Sequence, residues 1–125
     1  MKNDIKTRED LFLIVDEFYK KLLVNDEMKL FFEKFKDPDK LHHHLTTLVD
    51  FWDNILFYSG TYQKNAMKPH IALHQKKPFN ENNFKTWLSL FNQSVDNHFN
   101  GVNAHTIKTR ALSIATIMQI KTINS

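Results

Sequence analysis

The apolar residues of this chain recur at intervals of three and four, which is the spacing of one face of an α-helix. The first such stripe consists of Leu11, Ile14, Val15, Phe18, Tyr19, Leu22 and Leu23. Thr7 precedes it as a suitable N-cap, and Asp10 stands where a carboxylate supports the first turn. Asn25 and Asp26 interrupt the pattern. We therefore expect a first long helix that begins after Thr7 and ends near Asn25.

The same periodicity predicts three further long helices and two short helical segments. The expected ranges are 28–35 (short and aromatic), 38–59, 62–73 (short), 80–99 and 103–120. Pro38 favours a turn before the second long helix, and Gly60 and Gly101 are expected to stop the helices before them. The chain has 11 phenylalanines and 2 tryptophans but only 2 glycines and 3 prolines. It therefore has few of the residues that form the turns of a strand-rich fold. We expect one all-α domain over residues 1–125.

Histidines and aromatic residues provide the candidate chemistry. One face of the second long helix should carry His44, Leu48, Phe51, Trp52 and Ile55. In the run His42-His43-His44, neighbours on a helix point about 100° apart, so only His44 can face the core. His70 and His74 are four residues apart, but no Glu lies between them in HEXXH fashion. A helical metal-binding protein that uses the histidine run remains an alternative.

Charge and motifs exclude several classes of function. The formal net charge is +3, and the lysines after residue 60 lie in a predicted loop rather than on a dense basic face, so no nucleic-acid partner is expected. The chain has no cysteine, no Gly-rich phosphate loop and no GxSxG motif. Its start is too polar for a signal peptide, and no apolar run approaches about 18 residues. We expect a cytoplasmic protein without a membrane partner. Asp50 and Asp53 are expected to face solvent.

The aromatic content exceeds what a core of this size requires, and it suggests a large planar cofactor held between helices. Tyr19 and Trp87 lie on inward stripes, and a histidine on the short segment after Gly60 could approach an iron ion. Together these features describe a haem pocket. A haem-free helical interaction or sensor module, whose aromatic residues only fill a core, remains the alternative.

Five sequence blocks carry a resemblance to a known family. They are FYKKLLVND with Tyr19, LFFEKF with Phe32, His44 seven residues before Phe51-Trp52, GTYQKNAMKPH with His70, and FKTWLSLF with Trp87. In these blocks and their order the chain resembles the truncated haemoglobins, and within them the third group, found in Campylobacter-like bacteria. The resemblance covers residues 10–120.

The resemblance implies a truncated globin fold, a two-over-two helical sandwich around haem b (iron protoporphyrin IX). The residues that would contact the cofactor are Phe32, His44, Leu48, Trp52, His70 and Trp87. His70 would be the proximal ligand of a five-coordinate iron. Tyr19, His44 and Trp87 would stabilise a ligand on the distal side. Pro69 restricts the approach of His70, so His74 is a rival for the iron.

The expected partners follow from the same resemblance. They are dioxygen or a related diatomic ligand and an unknown reductase, and the protein would be a monomer or a weak dimer. Two polar donors beside the ligand would hold it tightly. Such a pocket suits oxygen, nitric oxide or peroxide chemistry, as in a nitric oxide dioxygenase or a peroxidase-like enzyme, better than oxygen transport.

Overall fold

The computed structural model describes residues 2–58 and 79–123, with side chains described to residue 120. In this part of the chain there are four α-helices and one 3-10 helix. They are α1 (Arg8–Val24), the 3-10 helix (Lys29–Lys36), α2 (Pro38–Phe57), α3 (Glu81–Asp96) and α4 (Val102–Ile123). The expected all-α class is confirmed, and the short segment predicted at 62–73 lies outside the described residues.

The first two α-helices begin at the caps that the sequence indicates. Thr7 and Asp10 form a capping box, since the Asp10 N–H donates to the Thr7 hydroxyl and the Thr7 N–H donates to the Asp10 carboxylate. The Asp37 carboxylate accepts the N–H of Asp39 at 2.9 Å, one residue after Pro38. These contacts are local in sequence, and both predicted starts are confirmed.

The end predicted for α2 is wrong. The helix stops at Phe57, before Gly60, and Tyr58 takes the left-handed conformation with φ 55°. The Tyr58 N–H still donates to the carbonyl of Asn54 at 3.1 Å, so the last turn is closed without a glycine. Tyr58 is 88% exposed.

Helix α3 also ends earlier than predicted, at Asp96 rather than at Phe99. The chain leaves the helix because Phe99 turns into the core and the Asn100 N–H donates to the carbonyl of Asn3 at 3.0 Å. An isolated parallel bridge joins Asn3 to Phe99. The N-terminal segment is therefore tied to the turn between α3 and α4.

Asp4 continues this tie by capping α4 from the other end of the chain. Its carboxylate accepts the N–H groups of Asn103 and Ala104, each at 2.9 Å. Gly101 has φ 147°, and a Cβ at this position would lie 2.4 Å from the Asp4 Cγ. A glycine is thus needed here both for the backbone conformation and for the close approach of Asp4.

The helices pack as two pairs. Helix α1 packs against α2 and α3, while α4 packs against α3 and α2. This is the two-over-two arrangement expected from the resemblance. None of the helices in the described ranges is long and apolar enough to cross a membrane.

Asp50 and Asp53 do not face solvent as predicted. Both carboxylates accept hydrogen bonds from the Arg8 guanidinium, which joins the start of α1 to the middle of α2. Their side chains are 30% and 14% exposed, respectively. The hydrogen bond that the Arg8 guanidinium donates to Asp50 is the main cause that raises the pKa of Arg8. The error arises because Arg8 lies 42 residues from Asp50 and 45 residues from Asp53 in sequence, so no local pattern reveals the contact.

Candidate functional site

Helix α2 presents two apolar faces rather than one. Leu45, Val49 and Trp52 are buried in the core. A second stripe with helical spacing is only half-buried, and it consists of His44, Leu48, Phe51 and Ile55. A half-buried apolar stripe beside a closed core is a wall that a bound apolar molecule can cover.

Tyr19 directs a polar group towards the beginning of this stripe. Its side chain is 1% exposed, and its Oη lies 2.7 Å from Nε2 of His44. The rings of Phe32 and Phe35 meet Tyr19 edge to face, with centroid distances of 5.6 and 5.7 Å. We call Tyr19, Phe32, Phe35 and His44 the distal cluster. It places one hydroxyl and one imidazole among aromatic rings.

The Tyr19 phenol remains a neutral hydroxyl in this environment. Burial raises its pKa well above the ordinary value of 10.0, because the phenolate would lose its hydration. The hydroxyl has one proton, and His44 Nε2 either accepts that proton or donates its own, depending on the imidazole tautomer. Only in the second case is the Tyr19 proton available to another acceptor.

Phe35 is a member of the cluster that the sequence reasoning missed. Its ring stacks on the imidazole of His44 with a centroid distance of 4.3 Å and an interplanar angle of 19°. Phe32 and Phe35 are three residues apart in the block LFFEKF, a spacing that favours one side of a helical segment. Phe32 has non-helical backbone angles (φ −121°, ψ 19°) that kink the segment, yet both rings are buried and contact Tyr19.

The two tryptophans are buried outside the distal cluster. The ring of Phe18 contacts both Trp87 and Tyr19, with centroid distances of 5.6 and 5.5 Å, so Trp87 lies one ring away from Tyr19. Trp87 is 6% exposed. Trp52 is 4% exposed and stacks on Phe91 at 5.6 Å, inside the core. Of the expected site residues, the structure thus brings Tyr19, Phe32 and His44 into direct contact.

The histidines separate as helical geometry predicts. His42 and His43 are exposed, whereas His44 is half-buried against Tyr19. Within residues 2–58 and 79–123, no group of three or more His, Cys, Asp or Glu side chains could hold a metal ion. His70 and His74, the two candidates for the iron, lie outside the described residues.

The described residues suit a flat apolar cofactor that carries a polar ligand. The half-buried stripe of α2 offers Leu48, Phe51 and Ile55 as an apolar wall. The Tyr19 hydroxyl and the His44 imidazole supply polar atoms at one end of that wall. This donor set matches haem, whose ring is apolar and whose distal ligand accepts hydrogen bonds.

Comparison with known proteins agrees with this arrangement. The family profile of the bacterial-like globins matches residues 3–121. The group 3 truncated haemoglobin ctb of Campylobacter jejuni is 26% identical over 121 residues, which cover 95% of this chain and 93% of that protein. The crystal structure of group III truncated haemoglobin from Campylobacter jejuni superposes with a TM-score of 0.84 and 25% identity, over 97% of this chain and 94% of that one. The resemblance to the group III truncated haemoglobins is confirmed, and the chain belongs to the bacterial-like globin family.

Proposed function

We propose that this protein is a haem-binding globin that holds a diatomic ligand, dioxygen foremost, beside the distal cluster. The observation that supports this most directly is the contact of 2.7 Å between Tyr19 Oη and His44 Nε2 among aromatic rings. A buried hydroxyl and an imidazole at the end of an apolar wall suit a small polar ligand better than they suit a closed core. Membership of the bacterial-like globin family supports haem as the cofactor.

His70 would hold the cofactor through one neutral ring nitrogen, while its other nitrogen donates to a neighbouring acceptor that sets the ring's orientation. When bound, haem b supplies an iron with an open coordination position for the ligand. The chain contains no cysteine, so the haem would be held without thioether bonds. Phe32, Leu48 and Phe51 would contact the haem ring.

Tyr19 and Trp87 would donate hydrogen bonds to the ligand, through the phenol O–H and the indole N–H. A charge-assisted hydrogen bond of about 1.5 to 3 kcal/mol corresponds to roughly ten- to hundredfold slower ligand loss. Tight binding suits reaction of the ligand better than its transport. We therefore propose nitric oxide dioxygenase or peroxidase-like activity, supported by a separate reductase.

An absorption spectrum of the purified protein tests the proposal of haem. We expect a strong Soret band, which His70→Ala abolishes. His74→Ala is the matched control, because it removes a histidine four residues away and should leave the band in place. A folded but colourless protein would favour a haem-free helical module. Loss of the band in His74→Ala but not in His70→Ala would show that His74 is the iron ligand.

The donors are tested by ligand dissociation. We expect Tyr19→Phe and Trp87→Phe each to accelerate dioxygen dissociation by about tenfold or more, since each removes one donor. Tyr58→Phe is the control, because it deletes the same hydroxyl from a side chain that is 88% exposed. Stopped-flow dissociation rates unchanged in both buried variants would overturn the proposed donor roles.

A further inference from the structure

We infer that Phe35 is a positioning residue of the pocket, whose ring fixes the imidazole of His44 in the orientation that meets the Tyr19 hydroxyl. This inference rests on the proposed function for its consequence and on the described contacts for its geometry. The Phe35 side chain carries no polar atom and cannot itself donate a hydrogen bond to a ligand. It would act through His44.

The stack between Phe35 and His44 is the closest ring contact in the distal cluster. The two centroids are 4.3 Å apart and the ring planes deviate by 19°, whereas the other ring pairs of the cluster lie between 5.1 and 6.4 Å. A flat face that is nearly parallel to the imidazole restricts rotation of the ring out of its plane. The stack thus defines the plane in which Nε2 points.

Phe35 is itself held firmly. It is 7% exposed, meets Tyr19 edge to face at 5.7 Å, and has the Lys34 ammonium 5.0 Å from its ring centroid. His44 by contrast is only half-buried. The buried ring of Phe35 therefore supports the half-buried imidazole of His44.

The orientation of His44 matters because the Tyr19 hydroxyl has only one proton. With Nε2–H donating to the Tyr19 oxygen, that proton is free for a ligand in the pocket. If the imidazole rotates away, the buried Tyr19 oxygen loses the hydrogen bond from His44, and the hydroxyl has to adopt a different hydrogen-bond geometry. Phe35 would thereby control how well Tyr19 donates, although Phe35 has no polar atom.

A double-mutant cycle tests this coupling in the ligand-loaded protein. We expect Phe35→Leu to accelerate dioxygen dissociation by about 2- to 10-fold, the range of one aromatic stacking contact. In a His44→Leu background the same change should alter the rate by less than about twofold. Phe35→Tyr keeps the flat ring and should restore the wild-type rate. Equal effects of Phe35→Leu in both backgrounds would reduce Phe35 to a packing residue.

Nuclear magnetic resonance of the histidine side chains gives a readout that does not require haem. The His44 ring protons should be shifted upfield in the wild-type protein by the stacked Phe35 ring, and the shift should vanish in Phe35→Leu. Haem-containing samples are measured with carbon monoxide bound. If Phe35→Leu does not fold, Phe35→Met replaces it, since Met fills irregular apolar space.

The absorption spectrum and the magnetic resonance measurement distinguish failure of the proposed function from failure of the proposed role of Phe35. A missing Soret band in the wild type defeats the proposed function, while the His44 proton shifts still report on the stack. A normal Soret band with unshifted His44 ring protons overturns the role of Phe35 alone. A shifted resonance together with coupling in the cycle supports both.

Discussion

The apolar periodicity of α1 predicts that Tyr19 is buried, but it does not predict the partner of the Tyr19 hydroxyl. Its place on the inward stripe of α1 follows from the spacing of Leu11, Phe18 and Leu22, and the side chain is indeed buried. The partner of its hydroxyl, His44, is 25 residues away on another helix. The distance between them depends on how α1 and α2 cross, which the spacing of either helix alone does not determine.

Burial of Tyr19 leads to a prediction about its ionisation. Because desolvation raises the pKa of Tyr19, the folded state keeps its proton where an exposed phenol has lost it. Tyr19→Phe should therefore leave the number of phenols that ionise near pH 10 in the folded protein unchanged. Ultraviolet difference titration measures that number, and a loss in Tyr19→Phe would contradict the burial.

Helix starts were predictable because their determinants are neighbours in sequence. The capping box of Thr7 and Asp10 and the Asp37-Pro38 start involve residues at most three positions apart. The contact between Glu27 and α3 was not predictable, although it joins the first turns of that helix to the turn after α1. The Glu27 carboxylate accepts hydrogen bonds from Asn82, Asn83 and Thr86 at 3.1, 2.7 and 2.8 Å. Nothing near Glu27 in the sequence indicates these partners.

Glu27→Ala should loosen the start of α3. The Asn83 side chain, 6% exposed in the folded protein, would lose the acceptor of its amide. An unsatisfied buried donor costs about 1 to 3 kcal/mol in the free energy of unfolding. Urea denaturation measures this loss, and faster amide hydrogen exchange from Asn83 to Thr86 should accompany it.

The control for Glu27→Ala is its neighbour, Asp26→Ala. The Asp26 side chain is 97% exposed and pairs with Lys29, so its removal should change the free energy of unfolding by no more than about 0.5 kcal/mol. Equal losses in the two variants would show that the carboxylate of Glu27 does not stabilise α3 through its hydrogen bonds.

At the scale of the whole molecule, the two-over-two arrangement was available only through the family resemblance. The stripes predict which residues are buried, and Ile107, Ala111 and Met118 on α4 are buried as expected. They do not determine which helices pair. The N-terminal residues were missed for the same reason, because Asp4 acts on Asn103 and Ala104, about 100 residues later. Contacts of this kind depend on the finished packing of all four helices.

The tie between Asp4 and α4 should make part of the stability depend on pH. Burial alone would raise the pKa of Asp4, but the backbone N–H groups of Asn103, Ala104, Ile5 and Val102 together outweigh it and lower the pKa below the ordinary value of 3.8. A carboxylate with a lowered pKa stabilises the folded state above its unfolded pKa, and that stabilisation is lost as the pH falls through the lowered value.

Asp4→Asn removes the charge and weakens the cap. We expect it to lower the free energy of unfolding at pH 7 by about 0.5 to 2 kcal/mol. The difference from the wild type should remain constant from pH 7 to about 5 and shrink as the pH falls below 3.8. Urea denaturation across this range measures it, with Asp26→Asn as the exposed control. If the difference in the free energy of unfolding stayed constant to the lowest pH, Asp4 would stabilise α4 through the packing of its side chain rather than through its charge.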